Sequence, residues 1–277
     1  MRFDSRMILL GMVGLAAGLV WGLFEPRPTR LAFLAVGQGD CAVFQNEGTT
    51  LLIDAAPANE EWDAGERLAV PELRRLGVDR VDLALLTHPD SDHIGGLAGI
   101  ARAFPVGAIG IPRRFAERPE IAKLKDEVGA PRLIPLSDGD RIEIGGFQLE
   151  VAVSEALPED NAGSLMLRIR GGACSAVLTG DAPIDAEGLA ERRFGGTPVQ
   201  VLKAGHHGSR SSTGERLLRA MRPNWVVFSV GRNNPYGHPS QETLRRVEAA
   251  GARVWRTDRQ GSAVFEASPS GFRPSGD

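Results

Sequence analysis

All five histidines of the chain fall in three short clusters, each placed beside an apolar run. The first is His88-Pro89-Asp90-Ser91-Asp92-His93, with four metal-capable side chains in six residues. It follows an apolar run over residues 81–87 and precedes Gly95-Gly96. A regular strand would send alternate side chains to opposite faces. A tight loop at a strand end can instead converge them on one or two cations. Asp90 and Asp92 repel each other when desolvated, and a divalent cation removes that repulsion. The ordinary alternative is a solvated turn in which Asp92 caps the next helix. The density of the cluster between a buried strand and a glycine pair favours the metal.

Two further acidic residues end apolar runs: Asp181 in Leu178-Thr179-Gly180-Asp181 and Asp54 in Leu52-Ile53-Asp54. A helix cap is the ordinary alternative for each, and it applies more strongly to Asp54 than to Asp181. The third cluster is Lys203-Ala204-Gly205-His206-His207-Gly208-Ser209-Arg210-Ser211-Ser212. Hydroxyls, a guanidinium and backbone N–H groups at a helix start suit a phosphate oxygen. A plain serine-rich cap is the alternative. His238 closes Asn234-Pro235-Tyr236-Gly237-His238.

These residues need a scaffold, and the chain is long enough to supply one. Its 277 residues suffice for one large domain with a sizeable core. A hydrophobic content of 42% argues against disorder. The net charge of −3 excludes a strongly basic nucleic-acid binder, so any such contact must come from a local patch. Cys41 and Cys174 sit in apolar runs and read as buried thiols; two cysteines make neither a disulfide framework nor a zinc knuckle.

Short apolar runs at residues 31–36, 41–45 and 50–54 predict a β-meander. Strands are expected at 81–87, 106–111, 165–169, 173–179, 199–202, 225–230, 253–256 and 263–266, with a hairpin at 141–153. Helices are expected at 67–76, 97–104, 119–128, 186–193, 213–221 and 241–249. Residues 268–277, rich in Pro, Ser and Gly, are expected to fray.

At the other end, residues 7–24 carry no charge and lie between Arg2 and Arg6 on one side and Arg27 and Arg30 on the other. That length approaches the roughly 20 residues that span a bilayer. A cleaved signal peptide is the alternative, but its apolar core is usually about 7–15 residues. The expectation is a single-pass anchor of undetermined orientation after a short flank, residues 1–6. A Pro-rich linker at 25–30 leads to a hydrolase domain at 31–267.

The ordered motifs resemble a known family. His-x-Asp-x-Asp-His-x-Gly-Gly at residues 88–96 is similar to the metallo-β-lactamase superfamily signature, with Asp90 where histidine is more common. The Asp form resembles the C-terminal domain of the ComEC family of DNA-uptake (competence) proteins. Val36-Gly37-Gln38-Gly39-Asp40, Asn161-x-x-Ser164-Leu165, Tyr236-Gly237-His238-Pro239 and Thr257-Asp258-x-x-Gly261 match in order.

The resemblance implies an α/β fold, the αββα sandwich, with two divalent ions (Zn²⁺ or Mn²⁺) at its edge. It implies His88, Asp90 and Asp181 on one ion, and Asp92, His93 and His206 on the other, with Asp181 bridging. Asp92, His207 and His238 would be catalytic. Asn161, Ser164, Lys203, Ser209 and Ser211 would bind substrate, and Asp40 and Asp54 would orient the ligand loops.

The implied activity is a metal-dependent phosphodiesterase at the membrane surface, with single-stranded DNA as a candidate substrate. One hydrophobic segment is not a polytopic pore, so the expectation is either a stand-alone hydrolase or one whose channel or uptake subunit is a separate chain. The alternatives are a hydrolase of small phosphoesters or lactones, and a non-catalytic accessory subunit of DNA uptake.

Overall fold

The computed structural model describes residues 28–129 and 132–276. In chain order the strands are β1 (Arg30–Phe33), β2 (Ala42–Asn46), β3 (Thr49–Ile53), β4 (Leu83–Leu85), β5 (Ala108–Pro112) and β6 (Arg132–Leu136). There follow β7 (Arg141–Ile144), β8 (Phe147–Ala152), β9 (Met166–Gly171), β10 (Cys174–Leu178), β11 (Val201–Lys203), β12 (Trp225–Phe228) and β13 (Arg253–Arg256). β14 (Ala263–Ser268) and β15 (Gly271–Pro274) close the series. One sheet has the order β15-β14-β1-β2-β3-β4-β5-β6 and the other β13-β12-β11-β10-β9-β8-β7.

Strand alternation explains the layers. In β1, Leu31 and Phe33 join an apolar core with Phe44, Leu149, Leu167 and Phe265, drawn from both sheets. The intervening Ala32 packs into a second core with Leu73, Leu97 and Ile100 from the helices that cover the first sheet. A third core, with Ala190, Phe194, Leu217, Leu218 and Val247, lies between the second sheet and its own helices. Three cores across two sheets define the αββα layering.

β3 to β6 run parallel in the first sheet and β10 to β13 run parallel in the second. The motif residues follow the carboxyl ends of β3, β4, β10, β11 and β12. Open α/β sheets place their functional crevice outside such ends.

Two expectations need correction. The tail does not fray from 268 onward: β15 pairs with β14, and Phe272 is buried in the core between the sheets. One apolar side chain in a tight hairpin outweighed the loop-like composition. Likewise, among the described residues no helix is long and apolar enough to cross a membrane. A single-pass membrane protein is therefore not supported; the run at 7–24 on which it rested lies outside the described residues.

Candidate metal centre

The first cluster starts where β4 ends. Leu86 continues the buried run, and Thr87 then anchors the turn: its N–H donates to Asp54 Oδ1 (2.8 Å) and its hydroxyl to Asp54 Oδ2 (2.9 Å). Asp54 adopts φ +57°, a left-handed conformation that carries its carboxylate across to β4. A short helix, α1 (Ser91–Ile94), follows and returns His93 to the same carboxylate.

Three imidazoles are held in one orientation. His93 Nδ1 lies 2.8 Å from Asp54 Oδ2, which can only accept. His88 Nδ1 lies 3.0 Å from Thr87 Oγ1, whose own proton is committed to Asp54. His207 Nδ1 lies 3.0 Å from the Ser229 carbonyl oxygen. Each Nδ1 therefore carries a proton, which leaves Nε2 as the atom that would ligate a cation.

These Nε2 atoms converge on carboxylates. His93 Nε2 is 3.3 Å from Asp181 Oδ2, and His207 Nε2 is 3.2 Å from Asp92 Oδ2 and 3.6 Å from Asp181 Oδ2. Among the described residues, His88, His93 and Asp181 form one group with ligand atoms within 4.8 Å of one another; Asp92, His93 and His207 form another. His88 Nε2, His93 Nε2 and Asp181 Oδ1 are buried and make no hydrogen bond. Desolvated, unpaired ligand atoms are costly, and a cation coordinated there removes the cost. The donor set of imidazole nitrogens and carboxylate oxygens suits Zn²⁺ or Mn²⁺.

The electrostatics carry the same demand for positive charge. Burial alone would push His207 down, but Asp181 and Asp40 outweigh it and hold it up to about 9. His93 is raised against burial by Asp181 and Asp54. Burial would raise the Asp181 carboxyl, yet His93 and His207 hold it well below the usual range.

Beneath this layer Lys203 pairs its ammonium with Asp40, lies 3.8 Å from Asp181 Oδ1 and donates to the Gly180 carbonyl (3.2 Å). Gly180 turns β10 toward the site at φ +54°, and a Cβ there would press on Ser164 and Thr87.

The expected residues thus separate. His88, Asp92, His93 and Asp181 come together, and Asp40 and Asp54 lie directly behind them. Asp90 stands 3.4 Å from His88 but is 47% exposed and lies in none of the tight groups. The neighbour of His206, not His206 itself, faces Asp92. His206 and His207 both have left-handed backbones, at φ 47° and 53°. That turn buries His207 and leaves His206 Nε2 at 3.7 Å from Asp181, toward the opening.

Lys203 and Ser164 do not fit the expected contact with substrate. Lys203 is committed to buried carboxylates, and Ser164 is fully buried with its hydroxyl accepting the Asp181 N–H (3.2 Å). Asn161 opens a short turn, Asn161–Gly163, at half-buried depth. Ser209 is buried with its hydroxyl 2.9 Å from that of the exposed Ser211. His238 Nδ1 is buried without a partner, and its ring meets that of His206 at 5.8 Å. Burial lowers both His238 and His206.

Sequence reasoning missed Thr87 and Glu187. Thr87 directly precedes His88, which was a usable signal. Glu187 lies in α2 (Ile184–Phe194) and accepts the N–H groups of Thr213 and Gly214 (2.8 Å for Gly214), pinning the loop that carries the histidine pair. Nothing in its spacing marks it.

Residues 34–231 match the model of the Metallo-beta-lactamase superfamily. The chain belongs to the metallo-β-lactamase superfamily. Members of this fold typically bind one or two divalent metal ions. The chain is 32% identical over 83% of its length to ComE operon protein 3 of Bacillus subtilis (strain 168), and 30% identical over 95% to Competence protein ComA of Neisseria gonorrhoeae. It is 26% identical over 57% to Ribonuclease J of Mycolicibacterium smegmatis (strain ATCC 700084 / mc(2)155). These matches cover 32%, 37% and 28% of the relatives, so the chain spans about a third of their length. Among solved structures, the metallo-beta-lactamase fold protein YhfI from Bacillus subtilis superposes with a TM-score of 0.59 at 14% identity, over 86% of this chain and 99% of that one.

Proposed function

We propose that the chain is a metal-dependent phosphodiesterase acting on nucleic-acid phosphodiesters. The observation that carries this reading is the convergence of three Nε2 atoms, each ring oriented by its Nδ1 partner, with Asp92 and Asp181. His88, His93, Asp92, Asp181 and His207 would hold the metal, with Asp90 and His206 at the margin. A divalent pair bound there supplies an activated water and charge stabilisation for the attacking and leaving oxygens.

The chain's own groups do the rest. Asp54 and the Ser229 carbonyl keep the imidazoles in the ligating tautomer. The Ser211 hydroxyl, the exposed Arg210 and His238 offer donors to a phosphate at the rim. Ser209 buttresses Ser211 from below. The phosphodiester class draws support from this rim and from likeness to proteins named for competence and ribonuclease activity.

The test is a substrate screen with the full chain reconstituted with Mn²⁺ or Zn²⁺. Bis-p-nitrophenyl phosphate should turn over faster than p-nitrophenyl phosphate or a simple lactone. Bound metal without diester turnover would overturn the reading: turnover of the monoester or lactone would point to a small-substrate hydrolase, and turnover of none to a non-catalytic role.

A further inference from the structure

Tyr236 is the single tyrosine of the chain and is 69% exposed, whereas Phe33, Phe44, Phe115, Phe194, Phe228 and Phe265 are fully buried. One exposed aromatic residue is ordinary by itself. Its neighbours make this one different. The ring stacks on His238 at 5.8 Å with planes 20° apart. His238 meets His206 edge-on at 5.8 Å, and His206 meets His207 at 6.1 Å. His207 Nε2 faces Asp92 at 3.2 Å. A continuous series of rings thus runs from the metal centre to solvent and ends in an open aromatic face.

The turn that carries Tyr236 is held firmly. The Asn234 side chain donates to the carbonyls of Gly231 (3.1 Å) and His238 (2.8 Å) and accepts the His238 N–H (2.9 Å). Gly237 supplies the positive φ of +68° that the turn requires. The ring is therefore positioned by its backbone and its stack, not by burial in a core. An aromatic face held at the rim of a phosphodiester site matches one chemical group well, the face of a nucleobase. In a duplex both faces of an internal base are already stacked, so only an unpaired strand offers one.

We propose that Tyr236 is a base-stacking residue that binds a nucleobase flanking the scissile phosphate, so that the substrate is a single-stranded nucleic acid. This rests on the phosphodiesterase reading above. Stacking on an aromatic side chain is sequence-tolerant, which implies little preference among the four bases.

The experiment uses the full chain loaded with Mn²⁺, a short single-stranded oligodeoxynucleotide, and an abasic strand of the same length. The parent's preference for the base-bearing strand, read as the ratio of kcat/KM values, should fall about tenfold in Tyr236→Ala and be kept in Tyr236→Phe. As a readout independent of turnover, a strand bearing 5-iodouracil should photo-crosslink to the peptide containing Tyr236 in metal-free protein. An unchanged preference in Tyr236→Ala, or crosslinks confined to other peptides, would overturn the proposal alone. A parent that cleaves neither strand would overturn the phosphodiesterase reading together with it.

Discussion

The floor and the rim of the candidate metal centre are built on opposite terms. On the floor, Asp40, Asp54, Asp181, His88, His93, His207 and Lys203 are buried, and every one is fixed by another. At the rim, Asp90, Arg210, Ser211 and Tyr236 are half-buried or exposed. Burial makes charge expensive, so the floor holds together only through pairing and retains a demand for a cation. Exposure makes charge cheap, so the rim can vary its contacts without cost to the fold. The comparison teaches that one motif can carry both: His207 belongs to the floor and His206 to the rim, although they are neighbours in sequence.

The largest effects should come from the groups that face the cation. Asp92→Asn and His207→Ala should each lower diester turnover by at least roughly 10²-fold, since loss of a group merely supporting a ligand already costs about 10–100-fold. His206→Ala should cost at least tenfold less than His207→Ala. Steady-state rates on bis-p-nitrophenyl phosphate decide the order, and a reversed order would place His206 on the floor.

The next effect concerns stability. Lys203→Met leaves the Asp40 and Asp181 carboxylates buried without their ammonium. Breaking a buried pair from one side costs about 3–5 kcal/mol. Urea unfolding of metal-free protein should show that loss. No change would mean that Lys203 is not needed to neutralise the floor.

A smaller effect distinguishes the support of the rim loop. Burial raises Glu187 to about 7 against an ordinary 4.5. Between those values the folded chain keeps a proton that the unfolded chain has released. The stability from this group is therefore fully present below pH 4.5 and lost as pH rises through 7, about 3 kcal/mol in all. Glu187→Gln should flatten that part of the slope, seen as unfolding midpoints at pH 5 and pH 8 that lie closer together than the parent's.

The smallest effect belongs to Asp90, which is half-exposed and outside the tight groups. Asp90→His should keep the fold and bound metal, with affinity moving from Mn²⁺ toward Zn²⁺ as nitrogen replaces oxygen. Metal competition would read it.

Much of this was legible in sequence because the chemistry sits at strand ends. The turns after β4, β10 and β11 were marked by apolar runs stopping at His88, Asp181 and the histidine pair. The helix Gln241–Ala249 appears where its periodicity places it. The choice between His206 and His207 was not legible, because it depends on two consecutive left-handed residues that no spacing announces. Lys203 and Ser164 misled for a physical reason: polar residues in a motif look like contact groups until their depth is known. The flanking Val201, Leu202 and Ala204 gave a hint, since a lysine within so apolar a run needs a buried partner. Glu187 had no such hint, because its partners are backbone N–H groups of a distant loop.

The central claim is that the floor is a divalent-metal site completed by Asp181. Elemental analysis of the untagged full chain, reconstituted with Mn²⁺ or Zn²⁺ and passed through a desalting column, tests it most directly beside Asp181→Asn. The parent should retain one or two ions per chain, the variant fewer. A folded parent that retains none would contradict the account.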